Sequence, residues 1–583
     1  MKAREFGVIA PDTTGLNFYA ADPSLSDLLA IHLPPALHRH VEPHLVELGL
    51  LAGTKLDDCA RLADRHPPVL HHRDKFGRDE QWIEYHPAYR ELEAAAFGRF
   101  GIHAMSHRPG ILGWPERYPT AAKHAFTYLF NQAEFGLGCP INVTDGAAML
   151  LDRYGSDALK ARYLDGLTTT DMGRLTQGAQ FMTEKEGGSD VGRLTTFAVS
   201  EGDHWRLYGE KWFCSNADAD VVMILARPEG AAEGTRGLGL FLLPRRLDDG
   251  SPNRYRIVRL KDKLGTRSMA SGEIKLEGAV AYAVGRIDRG FVQMADMVNW
   301  SRLSNGVKST ALMRRALHDA VTVAFRREVF GRTIADHPLA QRQLLKMLLP
   351  LEQALSLCFV TADALERAER GGSQEAAALV RILTPVLKYR ATRDARKVCG
   401  DALEMRGGIG YVEEFANPRL VRDSHLGSIW EGTGNIVALD VLRRAVRRHG
   451  ADGALSADLH EKLNDAEALP LPYRDRLKRL VDRAVAFARS VALNDDAEAD
   501  ARRATSALYH VTTAVTLAWE AGIIHGRRGD ARRLVLSRLV LDHRLSPADP
   551  FARTAGTSEQ RVAKLLLGED PVPIDVAGEI AVA

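Results

Sequence analysis

The stretch Ile429-Trp430-Glu431-Gly432-Thr433-Gly434-Asn435 sets one carboxylate among small and aromatic neighbours, directly before the apolar run Ile436-Val437-Ala438-Leu439. Two readings compete. In the plainer one the stretch caps a helix, and Glu431 sits at the positive end of the helix dipole. In the other, a short loop holds a desolvated carboxylate beside Trp430 and over a flat cofactor. Desolvation would then raise its pKa toward the range where a carboxylate works as a base. The rest of the chain decides between them.

Upstream, Ala311 to Phe330, Leu344 to Leu365 and Ala376 to Val398 carry apolar residues three and four apart, the mark of amphipathic helices. Long helices with short connections predict an antiparallel bundle, and Pro385 inside the third predicts a kink or a break. Before the bundle, from about Gly178 to Ile287, the pattern is one of short strands. Asp220 to Leu225 and Gly237 to Leu243 are compact apolar runs ended by Pro228 and Pro244, and Glu273 to Glu277 alternates with period two. Residues 1 to 178 read mostly as helix, with breaks at Pro67-Pro68 and between Pro109 and Pro119. Downstream of His449, Gly450 to Asp458 reads as a polar linker and Asn494 to Asp500 as an acidic loop, with helices over Leu477 to Leu493 and Ala504 to Ile524. The expected fold is mainly α with a central β-domain. Its divisions are an N-terminal helical domain (1–178), a β-domain (179–288), a helical bundle (289–448) and a C-terminal helical domain (449–583).

A chain of 583 residues is long enough for several domains with large cores. The formal net charge of +2 means that any nucleic-acid surface must be a local patch. Two patches qualify. Residues 524 to 544 hold Arg527, Arg528, Arg532, Arg533, Arg538 and Arg544 against Asp530 and Asp542, and Arg443, Arg444, Arg447 and Arg448 form the second. Such clusters neutralise phosphates without reading sequence, or are simply solvated helix faces. No helix-turn-helix or zinc module accompanies them. Five scattered cysteines without a C-x-x-C supply neither a metal cage nor a disulfide framework, so no metal is expected. Met1 to Gly15 has early charges and no apolar core, unlike a secretory leader. The longest uncharged stretches, such as Ala504 to Trp519, fall short of a membrane span. A cytoplasmic protein without a membrane partner is the expectation.

Two more stretches carry chemistry. Met182-Thr183-Glu184-Lys185-Glu186-Gly187-Gly188-Ser189-Asp190 pairs glycines, which allow close backbone approach to a flat ligand, with the hydroxyls of Thr183 and Ser189. Alone it reads equally as a Gly-Gly turn after a strand. Gly209-Glu210-Lys211-Trp212-Phe213-Cys214-Ser215-Asn216 places an aromatic pair before a hydroxyl, and alone it is a strand with aromatic packing.

In order, M-T-E-x-x-G-G-S-D, G-x-K-W-F-x-S-N, R-x-x-F-G (Arg327 to Gly331), G-G-x-G-Y (Gly407 to Tyr411) and I-W-E-G-T (Ile429 to Thr433) resemble the acyl-CoA dehydrogenase flavoprotein family through about residue 448. The resemblance implies that family's fold of helical domain, β-barrel-like domain and four-helix bundle. It implies FAD, with Met182, Thr183, Gly188, Ser189, Phe213, Cys214 and Ser215 at the flavin, and Trp430, Thr433 and Asn435 on the same cofactor. Arg327, Phe330 and Gly408 would reach it from a neighbouring subunit, which makes the protein a homotetramer. Glu431 matches the catalytic base that removes a proton beside a thioester carbonyl, and Arg302 matches an arginine at the substrate mouth. Ser301 stands where some branches relocate the base, so Glu431 has no competitor.

Three departures count against long acyl-CoA thioesters: Trp430 for the usual Tyr, Asn299 for a common Asp, and Pro338 for a Gln. Met182 to Val191, Leu260 to Ser268, Ser428 to Leu442 and the helices after His449 are similar to the AidB-like branch, linked to DNA alkylation damage. That branch uses its added domain to bind double-stranded DNA, which would give Arg527, Arg528, Arg532, Arg533, Arg538 and Arg544 to DNA. Two other readings are a short- or branched-chain acyl-CoA dehydrogenase whose added domain only builds the oligomer, and a scaffold that has lost its cofactor. The electron acceptor is not legible.

Overall fold

The computed structural model describes residues 11–547, 549, 551 and 556–583, so Met1 to Ala10 of the stretch read against a leader lie outside the described residues. The chain forms two compact units, one of Thr54–Pro119 with Ala133–Ser304, the other of Met1–Gly53, Thr120–Gln132 and Asn305–Ala583.

The first unit adds two strands to the mostly helical reading of the early chain. Strands β1 (Val69–Arg73) and β2 (Asp79–Glu84) form an antiparallel hairpin after the Lys55–Arg65 helix. Pro67-Pro68 forbids continuation of that helix. Asp74 then turns the chain, its Oδ1 accepting from Phe76 N at 2.8 Å and Arg78 N at 2.9 Å, with Gly77 at φ 80°. After the buried helix Gly138–Tyr154 come β3 (Gly178–Phe181), β4 (Phe197–Glu201), β5 (His204–Ser215), β6 (Val221–Pro228), β7 (Gly239–Pro244), β8 (Tyr255–Leu260) and β9 (Ser271–Ala283). The pairings β6–β4–β5–β9–β7–β6 close on themselves, while β3 pairs with β6 and β8 with β9. Closure leaves the ring without an open edge. Every residue of β7 and the first six of β6 are buried, which is why those two strands read as unbroken apolar runs instead of alternating.

The second unit holds the bundle. Its helices are Pro338–Glu369, Gln374–Met405, Ala416–Gly427 and the latter part of Gly290–Arg326. Pro385 neither breaks nor ends its helix, which runs on for five turns past it with the ring buried in the bundle. The first long helix stops at Arg326, four residues before the predicted end. Phe330 (φ 52°) and Gly331 (φ 79°) instead make the two-residue turn of a hairpin, β10 (Glu328–Val329) with β11 (Arg332–Thr333). Two successive left-handed residues are what such a turn demands. Pro338–Glu369 is long and apolar enough to cross a membrane, by length and composition only, and most of it is buried inside the unit. The supposed linker after His449 is a helix, Ala451–Asp465, followed by Leu471–Leu493, Ala501–Arg528, Arg532–Val540, Gly556–Leu567 and Ile574–Val582.

Buried charge ties these C-terminal helices to the bundle. Arg314 donates to Glu352 at 2.6 Å and lies 2.9 Å from Asp22, while Arg533 lies 3.4 Å from Glu352 and 3.3 Å from Glu520. Five buried ionic groups satisfying one another are a specificity device more than a source of stability.

Candidate active site

In the first unit the motif after β3 is held by a buried ion pair. Lys211 Nζ donates to Glu184 Oε1 at 2.7 Å and to the Leu225 carbonyl at 2.8 Å, while Glu184 Oε2 accepts from Thr195 N at 2.6 Å and its hydroxyl at 2.8 Å. Burial alone would raise Glu184; Lys211 and these hydrogen bonds hold it below the usual carboxylate range. The same burial pushes the Lys211 ammonium down. Trp212 N donates to the Thr183 carbonyl at 2.9 Å, joining the two motifs. This clamp presents Met182 and Thr183 half-buried and Gly188 and Ser189 at the surface.

On β5 the register shifts between Lys211 and Cys214, and that irregularity turns Phe213 outward, 58% exposed, with Ser215 half-buried two residues on. An exposed phenyl ring on a barrel strand fits one face of a flat ring system. Cys214 does not share that surface. It is fully buried, and burial pushes its thiol well above the ordinary value. The expectation of a cofactor contact through its side chain is corrected: strand alternation points it into the core. Lys261 Nζ sits 3.3 Å over the Trp212 ring, and donates to Glu273 Oε1 at 2.6 Å. Arg302 is buried and donates to Asn299 Oδ1 at 3.2 Å, so Asn299 orients the arginine. Ser301 Oγ accepts from Asn142 Nδ2 at 2.8 Å.

In the second unit Glu431 is half-buried at φ 49°, a left-handed backbone that a residue with a β-carbon adopts rarely. Asn305 Nδ2 donates to Glu431 Oε2 at 2.7 Å and to the Gly427 carbonyl at 2.9 Å. It therefore aims the carboxylate and secures the turn before it together. Lys388 Nζ donates to the Gly432 carbonyl on the other side, and Lys308 Nζ sits 4.7 Å over the Trp430 ring. Asn305, Lys308 and Lys388 are buried residues that sequence reasoning missed. Asn305 lies 126 residues from Glu431 on another helix, so no local pattern marks it. Thr433 stands at the N-terminus of the short Gly434–Leu439 helix without a side-chain capping hydrogen bond, and Thr433 and Asn435 are both exposed. The stretch does lead into a helix, as the plainer reading has it, and the carboxylate takes the left-handed position before it.

Arg327 and Gly408 are exposed in this unit, Phe330 is 98% exposed, and Tyr411 is 81% exposed. Aromatic side chains left that bare are surfaces awaiting cover. In the first unit the exposed Phe213 with Ser215 and the open Gly188-Ser189 turn offer a flat face and polar groups; in the second, Thr433 and Asn435 are exposed and Phe330 lies bare near Arg327 in sequence.

The arginines expected at DNA are placed differently. Arg533 is buried among Glu352, Glu520 and Ser356 and cannot face a phosphate. Arg528 grips Asp27 with two hydrogen bonds of 2.9 and 2.6 Å. Arg532 pairs with Asp530, and Arg538 with Asp542 and the Ala581 carbonyl. Arg527 and Arg544 are exposed, with no carboxylate in ion-pair range among the described residues. The second cluster is covered by the acidic turn Asp495–Asp500, where Asp495 pairs with Arg447 and Glu498 with Arg443. Charge counted along the chain included Asp530 and Asp542 but missed Asp27, Glu352, Glu520, Asp495 and Glu498, which come from other elements.

The chain is similar to known proteins over most of its length. Residues 9–172 match the N-terminal domain of the adaptive response protein AidB, 179–279 the acyl-CoA dehydrogenase middle domain, and 288–447 the acyl-CoA dehydrogenase C-terminal domain. Acyl-CoA dehydrogenase family member 11 of Caenorhabditis elegans is 35% identical over 437 residues, 73% of this chain and 70% of that protein. Putative acyl-CoA dehydrogenase AidB of Escherichia coli is 36% identical over 434 residues, 71% of this chain and 75% of that protein. The solved structure of Caenorhabditis elegans ACDH-11 in complex with C11-CoA superimposes with a TM-score of 0.82 at 30% identity, covering 94% of this chain and 95% of that one. The chain belongs to the acyl-CoA dehydrogenase family of FAD-dependent oxidoreductases.

Proposed function

We propose that the protein is an AidB-like acyl-CoA dehydrogenase that introduces a double bond between the α and β carbons of an acyl-CoA thioester, with Glu431 as the base. The observation that carries this reading is Glu431 itself, held at φ 49° with Asn305 2.7 Å from its carboxylate. Bound FAD supplies the acceptor for the hydride that leaves the β carbon. Glu431 takes the α proton, so the thioester loses one proton and one hydride and becomes the enoyl ester. Asn305 keeps the carboxylate aimed and Lys388 fixes the loop behind it, which limits the reorganisation needed at proton transfer. Trp430, braced by Lys308, narrows the space beside Glu431. The solved relative ACDH-11 binds C11-CoA, so a chain of that length belongs in the panel that tests this reading. Phe330 and Tyr411 are covered by a second copy of the chain in a homotetramer.

Anaerobic titration of the purified protein with a panel of acyl-CoA thioesters tests this. Bleaching of the flavin by at least one thioester, and none with Glu431→Gln, is the expected result. A flavin that stays oxidised with every thioester would remove the dehydrogenase reading.

Double-stranded DNA binding and a part in the alkylation-damage response are the second reading, favoured by likeness to AidB and by exposed Arg527 and Arg544. Its measure is a gel shift on duplex DNA whose affinity falls steeply with salt. Loss of that shift in Arg527→Ser/Arg544→Ser supports it; no shift at low salt ends it.

A further inference from the structure

The Pro35–Ala52 helix carries His40, His44 and Glu47 at spacings of four and three, so the three share one face. All three are half-buried. The His40 and His44 rings lie with centroids 5.5 Å apart and planes inclined by 58°. Two imidazole nitrogens bound to one tetrahedral zinc at about 2.0–2.1 Å stand roughly 3.3 Å from each other. Rings at the observed separation reach that spacing by turning about their own side-chain bonds. Burial first, and then the charge of His40, hold His44 below the ordinary imidazole value, with Glu47 opposing them. His44 therefore offers a neutral nitrogen lone pair at neutral pH, the form that coordinates a metal.

The same stretch is the weak one of this helix. Pro43 lies inside it and gives no N–H to the Arg39 carbonyl, so one backbone hydrogen bond is missing beside the two histidines. The turn that follows is held from outside. Asn17 Nδ2 donates to the Val46 carbonyl at 2.9 Å, and Phe18 N to the Gly49 carbonyl at 3.1 Å. A cation shared by His40 and His44 would hold the proline turn in a similar way, with a side-chain link in place of the lost backbone one. Leu37, Val41, Leu45 and Leu48 bury the neighbouring face of the helix, while the histidine face keeps contact with solvent, from which a cation enters.

We propose that His40 and His44 form a binding site for a divalent transition cation, zinc or copper, which clasps the Pro43 turn. Imidazole nitrogens suit both metals. Glu47 lies one turn on and draws the cation by its charge. Among the described residues no three His, Cys, Asp or Glu side chains stand together as a cage, so water completes the coordination shell and the cation exchanges with solvent. The scattered cysteines exclude a cysteine cage, and this pair needs none. The site is independent of the dehydrogenase reading.

Calorimetry of the flavin-loaded protein with zinc chloride in a non-chelating buffer, after stripping with EDTA, tests the proposal. One zinc per chain and a melting temperature that climbs with zinc concentration are expected. His44→Gln should bind zinc at least about tenfold more weakly and lose the climb. Should that variant fail to fold, His40→Gln replaces it, with the same loss expected. Zinc bound alike by wild type and a folded histidine variant is an adventitious ion held elsewhere, and that result overturns the proposal. So does a wild type that binds no zinc, or one that binds it without any rise in melting temperature.

Discussion

At the scale of single residues, Glu431 sits at φ 49° where glycine would sit without strain. A left-handed residue with a β-carbon costs on the order of 1–2 kcal/mol, which roughly offsets the Asn305 hydrogen bond of about 1.5–3 kcal/mol that Glu431→Gly also removes, so this variant is expected to melt close to wild type while abolishing flavin reduction. A variant less stable than wild type would show that the loop is held by the carboxylate. Asn305→Ala removes a hydrogen bond to a charged group, worth roughly 1.5–3 kcal/mol. Flavin reduction by the best thioester should slow about ten- to a hundredfold, at the 1.4 kcal/mol per tenfold exchange rate, with flavin content unchanged. Stopped-flow bleaching measures it, and an unchanged rate would remove Asn305 from the site. Glu431 was singled out by the order of the five motifs and the family they resemble, since its small and aromatic neighbours alone read equally as a helix cap. Asn305, Lys308 and Lys388 were not, since they meet it only through helix packing.

At the scale of elements, the clamp between β3 and β5 depends on Glu184 and Lys211, 0–1% exposed in their side chains. Removing one partner leaves a buried charge alone, so Lys211→Met is expected to cost about 3–5 kcal/mol, and Glu184→Gln/Lys211→Met to recover much of it. Urea midpoints decide: equal losses in the single and double variants would mean that the pair is incidental. Both residues stood inside quoted motifs, 27 positions apart, yet nothing local says that they touch. Hairpins were the weakest part of the sequence reading. Asp74–Gly77 and Phe330–Gly331 turn the chain through side-chain capping and left-handed residues, which apolar periodicity does not register.

At the scale of the whole molecule, buried titratable groups set an acid limit. Burial pushes His32 and His103 down to about 4, and His318 and His510 well below their usual value. Each has a folded pKa beneath its unfolded one. Its stabilising contribution is therefore present above about pH 6.5 and is lost as pH falls toward the folded value. Glu520 runs the other way: burial pushes it up to about 7. Its contribution is full below the ordinary carboxylate value and is lost as pH rises through 7. Denaturation from pH 4.5 to 8 should show stability rising with pH from the histidines, and the difference between wild type and Glu520→Gln should shrink with rising pH. A pH-independent difference would place Glu520 in its charged form throughout.

What the sequence determined alone was the class of fold and the family. Periodicity of 3.6 and of 2 needs only local geometry, and the five motifs are contiguous. Tertiary structure decided which charges are available. Arg533, Arg528, Arg443 and Arg447 read as a basic surface along the chain, but carboxylates from distant elements neutralise them. Coulomb energy depends on distance in space, and the packing of helices sets that distance.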